Sequence, residues 1–268
     1  MSAPVRLNGD SIMVRETLTL FFAILSVLST ASAQNPGGAP SAGADDEVKQ
    51  ELRDFEQGKL SLEALTENGG EKFDRRLIAF YSQHTNEVSV KALLPISRCF
   101  FIFDDFEQAR RLAQQYVQVY SNDWHGWHII GTANICLTNY DRALTGYTNA
   151  VRLGDKESCV QLGFCAWKLE RLDIMTEILP CMFAAKDNAK SEKDKTDAVA
   201  VLVIYATNAN REDVFVKALA GVHPSEVAAR EDLTDVVLTV CDRFKTKDLQ
   251  PFCEKVRALS KNPTEGKQ

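Results

Sequence analysis

The feature that most constrains this chain is a segment that recurs at a fixed interval. Asp105-Phe106-Glu107-Gln108-Ala109 is followed by a similar Asn139-Tyr140-Asp141-Arg142-Ala143, so that Ala143 answers Ala109. Phe215-x2-Ala218-Leu219 mirrors Tyr147-x2-Ala150-Val151 at twice that interval. A unit of about 34 residues is one helical hairpin, which cannot bury its apolar face alone and does so by stacking on its neighbours. The local pattern agrees: Leu112, Tyr116 and Val119, like Val236, Val240 and Phe244, step by three and four residues along one helix face. No alternating apolar run bounded by hairpin turns argues for strands. Breaks divide the chain into helices near 45–57, 71–84, 87–103, 105–120, 123–138, 140–153, 156–170, 172–185, 196–208, 211–221, 225–244 and 248–260, with a short one near 61–66. Pro95 falls inside the 87–103 segment and should kink that helix or mark a late start.

The clearest unit begins at Trp127. Trp127, Ile130, Gly131, Asn134, Ala143, Tyr147 and Ala150 form a spaced set that resembles the tetratricopeptide signature W-x2-L-G-x2-Y…A-x3-F…P. Asn134 stands where that signature has an aromatic, and Asp155 where it has proline. Leu162-Gly163, Ala166 and Leu172-Asp173 form a third unit shifted by about two residues. The resemblance is strong over 88–185, weaker over 196–260 and absent over 45–84. It implies an all-α fold, a right-handed α-solenoid of stacked antiparallel helical hairpins. In that arrangement Gly131 and Ala143 are small because they face each other where two helices cross, while Trp127 and Tyr147 fill the gap between hairpins. The alternative is a non-repeating helical bundle.

Residues 1–33 read as a signal peptide. Leu18 to Leu28 is an apolar run too short to cross a bilayer comfortably, Arg15 precedes it, and Ala31-Ser32-Ala33 is a small-residue cleavage pattern. A start at Met13 would give a more typical signal. The alternative is an uncleaved membrane anchor. Gln34 to Ala44 has linker composition. Residues 45–84 then read as N-terminal helices packing on the repeats, 85–262 as the repeats and 263–268 as a disordered tail. The expected address is export, periplasmic or secreted, without stable membrane insertion after cleavage.

A net charge of −6 with no basic run speaks against nucleic acid, whose phosphates demand clustered Lys and Arg. Seven cysteines, at 99, 136, 159, 165, 181, 241 and 253, include no C-x-x-C and no zinc-type spacing. An odd count leaves at least one thiol outside intramolecular bridges. Cys241 with Cys253, across the Thr246-Lys247-Asp248 turn, and Cys165 with Cys181, across the turn near Leu172, are the candidate pairs. The other reading is that these are small buried apolar residues.

No catalytic constellation emerges, so no enzymatic activity, cofactor or metal is expected. Gly163-Phe164-Cys165-Ala166-Trp167 only superficially resembles a cysteine-protease nucleophile segment, and the repeat already explains Gly163 and Ala166 as packing positions. His125 and His128 share one helix face but lack the further ligands of a metal site. The family resemblance implies a groove lined by the first helices of successive hairpins, taking a protein or peptide partner. In register, that strip comprises Lys91, Leu94, Arg98 and Phe101; His125, His128, Thr132 and Ile135; and Val160, Phe164, Trp167 and Lys168. Aromatics beside Arg are the composition of a binding hot spot, although aromatics at helical spacing also build cores. The leading reading is an exported protein-binding scaffold. The rivals are a structural or oligomerisation module whose groove is filled by residues 45–84, and an enzyme on a helical scaffold.

Overall fold

A computed structural model of the protein describes residues 42–245 and 247–261. The apolar segment 18–28, the cleavage pattern at 31–33, most of the stretch read as a linker and the tail from 263 lie outside the described residues. Among the described residues there are fourteen α-helices, two short 3-10 turns and no strand. They divide into two compact units that meet in sequence between Ser158 and Cys159.

The first unit contains α1 (Ala42–Glu56), α2 (Leu62–Gln83), α3 (Leu93–Ile102), α4 (Phe106–Val119), α5 (Trp124–Cys136) and α6 (Tyr140–Arg152). Helix α1 starts at Ala42, inside the last positions read as linker. Each helix touches the next in order, and α3 also touches α5. This is the contact pattern of stacked hairpins, in which first helices adjoin first helices. Residues 42–83 pack on this stack through α2 and α3, and their side chains Val48, Leu52, Leu77 and Phe80 share one core with Leu112, Tyr116 and Ile130. Pro95 marks a late start: α3 begins at Leu93, placing proline in the first turn, where its missing N–H has no intrahelical partner to lose. The carboxylates of Asp105 and Asp123 cap α4 and α5 by accepting from the backbone N–H of Gln108 and His125.

The crossing of α5 and α6 corrects one expectation. Gly131 does not owe its smallness to Ala143. A Cβ on Gly146 would lie 2.7 Å from the Gly131 nitrogen and 3.0 Å from the Trp127 oxygen, and a Cβ on Gly131 would lie 2.9 Å from the Tyr147 ring. Two glycines thus set backbone against backbone, and Tyr147 packs inside its own hairpin, its hydroxyl donating to Thr132 Oγ1 at 3.0 Å. Ala143 is fully buried in the same hairpin.

The second unit contains α7, which opens on Ser158 and runs to Lys168, then α8 (Leu172–Glu177), α9 (Leu179–Asp187), α10 (Glu192–Ala209), α11 (Glu212–Leu219), α12 (Pro224–Ala228), α13 (Glu231–Phe244) and α14 (Gln250–Lys261). Helix α10 is its centre. Thr196 through Ala206 are all buried, and α8, α9, α11, α12 and α13 each touch it. A helix apolar on every side belongs in the interior. The segment read as one helix over 172–185 is two, parted at Ile178, because Pro180 suits the first turn of a new helix better than the middle of an old one. The 225–244 segment is likewise split, around Ala229 and the extended Arg230.

The repeat is written in the backbone as well. Non-glycine residues with positive φ occur at Asp104, Thr138, Glu170, Asn210 and Lys245. They follow α3, α5, α7, α10 and α13, the first helix of each hairpin. Their intervals stay close to the one from Ala109 to Ala143, and only the step from Glu170 to Asn210 is clearly longer. In each case a left-handed residue reverses the chain just past the helix end. Phe215 sits one helical turn nearer to Asn210 than Tyr147 does to Thr138. The likeness between their two segments therefore slips by one turn, which preserves the buried face.

Two disulfides staple the second unit. Cys241 and Cys253 are bridged, as the turn between them suggests. The partner of Cys181 is Cys159, not Cys165, which is buried and unbridged. The left-handed turn sits at Glu170, so Cys159 and Cys181 are equidistant from it. Placing the turn near Leu172 moves the apparent partner along the helix, because an error in the turn is doubled across the hairpin.

Candidate functional site

The strip read from sequence separates into groups. Leu94, Val160 and Phe164 are only 2%, 7% and 1% exposed, and these three are withdrawn as surface residues. They belong to α3 and α7, short helices buried on several sides: Cys159, Leu162, Cys165 and Ala166 are buried alongside. The Lys91 ammonium is engaged elsewhere, donating to the Glu56 carbonyl at the end of α1 at 2.6 Å. In the first unit Arg98, Phe101, His125, His128, Thr132 and Ile135 are part-exposed, on the adjoining first helices α3 and α5. In the second unit Trp167 and Lys168 are part-exposed, with the Lys168 ammonium 4.7 Å from the Trp167 ring centroid, a cation–π pair.

The first turns of α5 hold the most organised polar surface. Asp123 accepts from the His125 backbone N–H at 3.0 Å, from His125 Nδ1 at 2.7 Å and from the Tyr116 hydroxyl at 2.5 Å. Burial pushes the Asp123 carboxyl up, but the hydrogen bonds from His125 and Tyr116 outweigh it and hold the group at about 2. The same contact, after burial itself, raises the Tyr116 phenol. The His125 ring stacks on Trp124 at 3.6 Å, and the Trp127 indole donates to the Ser121 carbonyl at 2.9 Å.

One turn later His128 Nδ1 lies 3.0 Å from Asp155 Oδ2 and 2.9 Å from Ser158 Oγ. Asp155 accepts from the Ser158 hydroxyl at 2.5 Å and from the backbone N–H groups of Glu157 and Ser158. Burial works against its charge, yet the bonds from His128 and Ser158 keep the carboxyl below its usual range. An ionised carboxylate can only accept, so the proton of each imidazole resides on Nδ1. The two rings are therefore fixed in the same tautomer by two different aspartates. Trp124 and Tyr147 stand edge-on to His128, with centroids at 6.3 and 5.8 Å.

Serine, histidine and aspartate together invite a catalytic reading, and the geometry speaks against it. A triad needs histidine to hold aspartate through one nitrogen and serine through the other. Here both partners share Nδ1, and the fully buried Ser158 gives its proton to Asp155. The set is a helix cap that also orients His128. Sequence reasoning named His125 and His128 for the surface, met Asp155 only as a departure from the repeat signature, and did not name Asp123 or Ser158. The available signal was Asp155 three residues before Ser158 at a helix start, the spacing of a capping side chain. Among the described residues no helix is long and apolar enough to cross a membrane, and no group of three or more His, Cys, Asp or Glu could hold a metal ion.

No protein-family model matches the sequence, and no curated protein is significantly similar to it. Solved structures do resemble it. The crystal structure of MamA protein aligns with a TM-score of 0.49 at 14% identity, covering 71% of this chain and 97% of that one. The crystal structure of YrrB, a TPR protein with an unusual peptide-binding site, aligns with a TM-score of 0.51 at 11% identity, covering 71% of this chain and 95% of that one. At that identity the likeness speaks to fold alone, and with the hairpins and turns described above the fold of this chain is an all-α, tetratricopeptide-like solenoid.

Proposed function

We propose that this chain is an exported scaffold that binds a partner protein or peptide through the first helices of its hairpins. The observation that carries the reading is the surface of α5, where two imidazoles are each locked by a carboxylate while their rings remain part-exposed beside Trp124. Ordered polar groups on a rigid helix, flanked by aromatic rings, are what a binding face needs, because little conformational entropy is left to lose on association. Arg98 and Phe101 on the adjoining α3 extend this face, and Trp167 with Lys168 offer a separate contact on the second unit. The peptide-binding site ascribed to YrrB agrees with the reading. Helix α1 packs on α2 and α2 on α3, which supports an open face on α5 over a self-filled one.

Export rests on the signal-like segment 1–33 and is supported by two bridges, which persist in oxidising compartments. Intact-mass analysis from the native host should give a chain beginning at Gln34; a mass that retains residues 18–28 removes the export reading. For binding, affinity capture from the exported fraction is compared between the native chain and Phe101→Ala with His128→Ala. A partner retained by the first and lost by the second, with the helix content of both unchanged by circular dichroism, is the expected result. Equal capture by both removes α3 and α5 as the binding face.

A further inference from the structure

Helix α14 packs on α12 and α13 but buries few side chains there besides half of a disulfide. Of the twelve residues of α14 only Cys253 and Val256 are buried, against six in α13. Phe252 and Leu259 are half-buried, while Glu254, Lys255, Ala258 and Lys261 face solvent. The ion pair of Arg257 with Asp242 at 2.7 Å is exposed on both sides, and such pairs hold helices weakly. One of the two buried side chains is thus half of the bridge to Cys241. Beside that bridge lies a cavity of about 70 Å³, lined by Phe215, Cys241 and Leu249 on one side and by Cys253, Glu254 and Arg257 on the other. It leaves room for water beside the two bridged residues.

From this we infer that α14 is a disulfide-latched cap. With the bridge closed, the helix covers the apolar end of α11 to α13. With the bridge opened, it lifts and bares Phe215 and the face of α13. The chemistry is a two-electron exchange with a dithiol: one thiolate of the reductant attacks a bridge sulfur and the S–S bond breaks. The second thiol then resolves the mixed disulfide, leaving Cys241 and Cys253 as thiols and the reductant as a cyclic disulfide. The 12-residue span between the cysteines is a short loop. Opening it removes an effective-concentration advantage on the order of a hundredfold or more for keeping the helix docked. This inference does not depend on the binding face of α3 and α5.

The test is amide hydrogen exchange on the full chain, oxidised and after dithiothreitol, with Cys241→Ser plus Cys253→Ser as a reductant-free counterpart. Cys159→Ser plus Cys181→Ser keeps the other bridge from confusing the result. The expected result is a loss of protection of about a hundredfold over Val256 to Lys261 on reduction, while the amides of α10 and of Val236 to Val240 keep theirs. The same loss should appear in the 241/253 variant without reductant and be absent from the oxidised 159/181 variant. Unchanged exchange in α14 on reduction overturns the inference, because packing alone would then hold the helix. Loss of protection throughout α10 to α14 overturns it as well, because the bridge would then be a staple of the whole unit and not a latch on one helix.

Discussion

The two units of this chain solve one problem by different means. Short hairpins bury little apolar area each and need something more to hold register. The first unit uses close backbone approach and charged capping networks: Gly131 against Gly146, Asp123 under Tyr116 and His125, Asp155 under His128 and Ser158. Its cysteines at 99 and 136 take no part in the two bridges. The second unit uses an interior helix, α10, and two disulfides. Histidine-ordering caps thus accompany the proposed binding face, while in the second unit covalent stapling is added to a buried ion-pair network, Arg230 with Asp197 and Asp232.

The sharpest way to break that contrast is to remove the covalent part. Cys159→Ser with Cys181→Ser opens a loop of 22 residues and should cost the second unit about 3 kcal/mol. Urea unfolding followed by near-ultraviolet signals from Trp124 and Trp127 should leave the first unit where it was; a shift of both units by the same amount would mean they are not held independently. Next in size, Gly146→Ala puts a methyl 2.7 Å from the Gly131 nitrogen and should cost the first unit about 1–3 kcal/mol, with Ala143→Leu in the same range. A thermal melt unmoved by either would mean the α5–α6 crossing is looser than described.

Acid should act with opposite sign through Asp197 in the second unit and through Asp123 and Asp155 in the first. Asp197 in α10 is pushed up to about 6 by burial, in spite of its 2.7 Å ion pair with Arg230, which also serves Asp232. The folded second unit therefore holds a proton more tightly than the unfolded chain does, and lowering the pH from 7 to 5 should add about 1 kcal/mol through this group. Asp123 and Asp155 lie below their usual range. Their contribution to the first unit is complete above the unfolded carboxylate range and drains away as the pH falls through and below that range, for Asp123 toward about 2. Side-chain titration by NMR with Asp197→Asn as control checks both; a second unit weakened between pH 7 and 5 would overturn the assignment for Asp197. The smallest effect expected is a gain. Thr138→Gly in the first unit and Glu170→Gly in the second relieve a positive φ and should each add up to about 1 kcal/mol, measured as a raised urea midpoint.

Helix content and the hairpin order were legible because apolar spacing and short breaks are local signals. Pro95 announced a kink or a late helix start for the same reason, and the structure has the late start. What lay hidden depended on which residues the stack brings level. His128 meets Asp155 across 27 residues, and nothing in either residue's neighbourhood names the other. Gly146 escaped notice because it falls outside the signature positions, although its lack of a side chain is the reason α5 and α6 can touch. The partner of Cys181 was misread because the turn at Glu170 carries no glycine to mark it. Phe164 and Leu94 read as surface because the register of a repeat tells which way a residue points in an average member, while burial here depends on how tightly this chain's own neighbours close over them.

The glycine pair at the crossing of α5 and α6 bears on mechanics. A seam made of side chains can yield to load by changing rotamers, as the seam between α4 and α5 can, where Tyr116 and Val117 press on Gly126. Two backbones in contact have no rotamers to change. Under load the α5–α6 hairpin should therefore behave as one stiff plate, with bending concentrated at its edges. A partner seated on α5 would press on the stiffest element of the unit, and any yielding would appear in α4 and α3, away from the contact itself.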